Sequence, residues 1–159
     1  MTHIVNIIQA AAIACLNAVE PFENENRLAG DHRHGGFFCM LEEDDSNLPP
    51  LAKVMIGGPR KETWSKYAGL SEEKARRLAS KPGDKSSWQS RNLDLDYYGG
   101  AIRCKDGTIL SFSGLSEHGD EALVLMVAEF CNLLSRTEAI AIAKKSGNTL
   151  YMKIVSKEE

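Results

Sequence analysis

Between Gly99 and Phe130 the chain reads "GGAIRCKDGTILSFSGLSEHGDEALVLMVAEF", and no other stretch constrains the fold as strongly. A glycine pair opens a short apolar run, Asp106-Gly107 interrupts it, and a second apolar run follows. An Asp-Gly step between two such runs signals a tight hairpin, because both central residues of that turn need positive φ. A two-residue turn there pairs Cys104 with Ile109 and Ile102 with Ser111. Ala101, Arg103, Leu110 and Phe112 then share the other face. Both faces are partly apolar, which predicts a sheet covered on both sides. Ser116 stands where a helix cap is needed, and the helix beyond it is apolar nearly all round, so it is expected to be buried.

The rest of the chain fits around this unit. At 159 residues, 43% hydrophobic and 26% charged, it predicts one soluble domain, residues 1–159, with a substantial core. Nineteen basic and 22 acidic residues leave a formal charge of −3 and no basic stripe, so no nucleic-acid partner is expected. Lys74, Arg76 and Arg77 follow Glu72 and Glu73 and read as a solvated helix face. Cys15, Cys39, Cys104 and Cys131 are widely spaced in apolar settings, the pattern of free, buried thiols in a reduced cytoplasmic protein. Zinc-ligand spacing is absent.

At the N-terminus, "IVNIIQAAAIACL" lacks the positive residues of a secretory signal and is interrupted by Asn6 and Gln9. It is expected to be too short for a membrane span and to form an amphipathic helix over residues 3–20, with Pro21 as its stop. "GFFCML" and "LAKVMIG" form a candidate antiparallel pair around the polar tip "EEDDSNLPP". The tip lacks the spacing of a calcium loop and reads as solvated. Helical pattern appears in "ETWSKYAGL" and again in "SEEKARRLAS", with Ser71 as a cap. "SRTE" at 135–138 matches a capping box, Gly147 marks the following C-terminus, and "TLYMKIV" reads as a last strand. The fold class is therefore α/β in the α+β sense: an antiparallel sheet with helices packed on both faces.

Chemistry is harder to find. His32 and His34, two apart in "DHRHGG", would point the same way on an extended segment and could hold a metal or haem; with no third ligand in sight, the plainer reading is a solvated loop. His118 lies in the first turn of the buried helix beside Glu117, Asp120 and Glu121, which would repel an anion there, so a capping role is preferred. No phosphate loop and no nucleophile elbow occurs. The aperiodic stretch 81–98 carries Trp88, Arg91, Asp94, Asp96, Tyr97 and Tyr98, a mixture of aromatic rings and charges suited to recognition. No catalytic or metal-binding residue is assigned.

From Gly99 onward the order of signals resembles the GlcG-like family. The features concerned are Gly99 and Gly100, Gly107 at the hairpin turn, Ser113-Gly114 after the second strand, and Asp120 at the acidic helix start. The resemblance is strongest over residues 99–125. It departs at Ala101-Ile102, where the family carries a proline, and at Leu110-Ser111-Phe112, where the family is rich in small residues. It implies a profilin-like fold, frequent oligomerisation and a role in binding haem or another small molecule. The expectation is thus a non-catalytic, cytoplasmic ligand-binding domain that forms a homo-oligomer and engages no membrane. The ligand-binding candidates are His32, His34, Trp88, Arg91, Tyr97, Tyr98 and His118. If haem is the cofactor, His32 or His34 supplies the axial contact and Trp88, Tyr97 and Tyr98 wall the pocket. The competing expectation is an assembly module that uses the apolar "ALVLMVAEFCNLL" helix and holds no small ligand; a small enzyme using His118 and nearby acids ranks last.

Overall fold

The computed structural model describes residues 2–42 and 47–158; most of the acidic tip lies outside the described residues. Four strands form one antiparallel sheet: β1 (Gly36–Leu41), β2 (Ala52–Ile56), β3 (Ala101–Arg103) and β4 (Ile109–Ser113), in the order β2-β1-β4-β3. Alternation along the strands sends side chains to two different cores. Phe38, Met40, Ile102, Leu110 and Phe112 join the larger core, under helices α1 (Thr2–Ala14) and α4 (Glu117–Phe130). Cys39, Leu41, Ala101 and Ile109 meet Ala75 and Leu78 of α3 (Trp64–Ala79) on the other face. The fold is α+β, with helices on both faces of the sheet.

Several local expectations hold. Ser116 accepts a hydrogen bond from the Gly119 amide and caps α4, whose body is buried. Ser135 and Glu138 form the reciprocal capping box of α5 (Arg136–Ser146), which ends on Gly147 in the left-handed region. Others are corrected. The β3–β4 turn has three residues, because the Cys104 amide donates to the Thr108 carbonyl and Gly107, at φ 90°, takes the extra bulge position. Arg103 therefore faces Ile109 and Ile102 faces Leu110. That one-residue shift exchanges the faces expected for the second strand.

The first helix does not stop at Pro21. A wide π turn over Cys15–Val19, closed by the Glu20 amide donating to the Cys15 carbonyl, leads directly into α2 (Glu20–Asn24), and the helix carries on through Pro21. The helix His3–Asn24 is thereby long and apolar enough to cross a membrane by length and composition, contrary to expectation. Ile7, Ala11, Cys15 and Val19 of this helix are buried against the core.

Ser71 is not a cap: α3 is continuous, and Ser71 donates to the Ala68 carbonyl in its interior. "TLYMKIV" is not a strand but α6 (Thr149–Ser156), capped by Asn148, with Tyr151, Ile154 and Val155 packed into the core. Apolar residues at i, i+3 and i+4 suit a helix against a buried neighbour, and that packing overrides their strand propensity.

Candidate functional site

At the N-terminal end of α4, three of the expected residues come together. Trp88 lies in the turn Ser87–Ser90 and stacks on His118, ring centroids 4.5 Å apart. The Arg91 guanidinium sits 4.6 Å from the Trp88 ring and makes two 2.8 Å bonds to Glu117. Glu117 also accepts from the Gly99 amide, and a side chain on Gly99 would collide with Trp88. His118 Nε2 lies 3.1 Å from the Ser146 carbonyl. The Arg91–Glu117 pair, the Gly99 amide and the Trp88–His118 stack together clamp segment 81–98 onto α4.

Two buried arginines complete that clamp. Arg77 donates to the Ser87 and Tyr98 carbonyls and to the Ser90 hydroxyl, and its guanidinium also lies 4.7 Å from the Tyr97 ring. Arg103 donates to the carbonyls of Leu78, Lys81 and Asp84. Tyr98 directs its hydroxyl to Asp96 at 3.1 Å. The segment that composition marked as a recognition surface is thus an ordered strap across β3 and α3.

His32 and His34 are not part of the stack. Their ring centroids are 6.0 Å apart at 63°, with His32 Nε2 3.1 Å from the Arg27 carbonyl and His34 Nδ1 3.6 Å from Glu20. None of the seven candidate residues lines the three cavities described below. Of the rings expected to wall a haem, Trp88 contacts His118 and Arg91, Tyr97 lies against Arg77, and Tyr98 turns its hydroxyl to Asp96.

The buried thiols are held in their neutral form. Burial pushes the thiols of Cys15, Cys39 and Cys104 up to about 12, so they are protonated and unreactive at neutral pH. Among the described residues no group of three or more His, Cys, Asp or Glu side chains could hold a metal. Lys74, read from sequence as solvated, is buried and pairs with Asp120 at 3.0 Å.

The open concave surface lies elsewhere. α1, α4 and α6 enclose a groove of about 400 Å³, floored by Ala10, Ala14, Ala18 and Val155. Ile13 and Phe130 stand on its lips, 56% and 76% exposed. At its polar end Glu129 accepts from Tyr151 and Arg136, and Arg136 also reaches Glu158 at 3.2 Å. A second cavity, about 470 Å³, shares Asn17, Ala18 and Glu158 with the first and extends it towards Phe22. A third, about 210 Å³, lies between the β3–β4 turn and α5. A sequence signal for the groove existed: residues 4–19 contain no charged side chain, although a helix on a protein surface ordinarily carries a charged face.

No protein-family model, curated protein or solved structure matches this chain.

Proposed function

We propose that this chain is a non-catalytic binding domain whose working surface is the groove between α1, α4 and α6, and that its ligand is a small molecule with a substantial apolar part. The observation that carries this reading is the groove itself: a concave, alanine-floored surface with a few polar groups gathered at one end, the usual construction of a small-molecule site. Small alanine side chains let a ligand approach the helix backbone, while Ile13 and Phe130 offer apolar area at the rim. The reading agrees with the small-molecule role implied by the GlcG-like resemblance, but it uses neither haem nor the histidine pair.

Titration with the neutral dye Nile red tests it. Saturable fluorescence enhancement is expected, and it should be lost in Ala18→Trp, which fills the region common to both cavities, with the circular dichroism spectrum retained. Absence of saturable binding, or binding unaffected by Ala18→Trp, would remove the groove as the working surface.

A second reading, self-association through the same face, is favoured by one observation. Ile13, on a charge-free helix, and Phe130 expose 56% and 76% of their surface side by side on the lips of the groove. Under this reading sedimentation velocity shows a dimer that weakens in Phe130→Ser. A monomer at all concentrations excludes it.

A further inference from the structure

We infer that the groove selects amphiphiles by the charge of their head group, and that its preferred ligand is a cationic amphiphile, an alkyl amine in chemical class. This rests on the groove being the binding surface. The argument is one of charge complementarity along the groove and its extension. Glu129 and Glu158 flank Arg136, and the adjoining cavity is lined by Glu25 and Lys157. Three carboxylates against two cations leave this surface net negative.

The hydrogen bonds sharpen the point. Arg136 is committed to both Glu129 and Glu158, so an anionic head would have to compete with two carboxylates already in place. Glu158, whose side chain is 52% exposed, uses only one oxygen in that pair and keeps the other for an incoming donor. In the adjoining cavity the Lys157 ammonium lies 4.6 Å from the Phe22 ring centroid, so that ring face is already taken by the chain's own cation and the free carboxylate oxygen of Glu158 is the place for the ligand's head group. The apolar body would lie along the helix from Ala18 back to Ala10, about 12 Å at the α-helical rise.

Displacement of Nile red by three ligands of one chain length separates the contributions: decylamine (charged at neutral pH), decanol and decanoate, each below its micelle concentration. The expected order of affinity is amine, then alcohol, then carboxylate, with about a three-fold or larger step between neighbours at low salt, compressed as ionic strength rises. Shortening each chain by one methylene should weaken binding by about four-fold irrespective of head. Glu158→Gln should reduce the advantage of the amine, and Glu158→Lys should reverse it. Decanoate binding as tightly as decylamine, or an order untouched by Glu158→Lys, would overturn the charge selectivity while leaving the groove as a binding surface. Failure of all three to displace the dye would instead remove the groove reading.

Discussion

The Lys74 ammonium lies 3.0 Å from the Asp120 carboxylate although α3 and α4 pack on opposite faces of the sheet. The contact is made beside Gly100, whose lack of a side chain leaves room: a Cβ there would fall 2.8 Å from both Lys74 Nζ and the Asp120 Cβ. Lys74 also donates to the Phe112 carbonyl, and Asp120 accepts from the Leu115 amide. Burial pushes the Asp120 carboxyl up, while Lys74 and the Leu115 amide favour its ionised form. The pair ties both helices to the end of the hairpin.

Removing one member of such a pair strands the other. Lys74→Met is expected to cost about 3–5 kcal/mol in urea unfolding, and Lys74→Met/Asp120→Asn to recover much of that loss. Additive losses in the double variant would show that the two groups are not coupled.

The glycine pair should be intolerant for two different reasons. Gly100→Ala places a side chain at φ 125° against the ion pair, whereas Gly99→Ala drives a Cβ to 2.5 Å from Trp88 Cε3. Each is expected to lose about 2 kcal/mol or more. Only Gly99→Ala should shift Trp88 emission, measured in a Trp64→Phe background, and Trp88→Ala should relieve its cost.

Glu121 gives the fold a pH dependence. It is buried with Ser146 and Asn148 as neutral partners, and its second oxygen has no partner among the described residues. Burial pushes its carboxyl from 4.5 up to about 7, against the pull of those two hydrogen bonds. A raised carboxyl binds more protons when folded, so its contribution to stability is greatest at low pH and declines as pH rises from about 4.5 to about 7. Glu121→Gln should therefore gain on the parent between pH 5 and pH 8, by up to about 3 kcal/mol. A constant difference across that interval in urea titrations would contradict the assignment.

The strap over residues 81–98 depends on the planar fork of Arg77. Arg77→Lys cannot serve the Ser87 and Tyr98 carbonyls and Glu73 together, and should cost about 2–3 kcal/mol. Hydrogen exchange should accelerate at Arg91 and Tyr97, whose amides close turns within the strap, before it does in β4.

Much of this architecture was legible because it is encoded locally. The caps at Ser116 and Ser135, the C-terminus at Gly147 and the buried character of α4 each depend on residues within a few positions of one another. The same locality explains the errors. Asp106-Gly107 announces a turn in either register, and only the Cys104–Thr108 bond selects the bulged one. "TLYMKIV" has strand-like composition, and only its packing in the core makes it a helix. Lys74 shares a sequence pattern with solvated lysines, and its burial depends on Asp120, 46 residues away. The groove was the least legible feature, since it brings together residues from both ends of the chain and from α4 between them. By itself the sequence determined which segments turn, cap and bury, because those properties arise from near neighbours. Tertiary structure alone decided which charges meet and where a concave surface remains, because both depend on how distant segments pack.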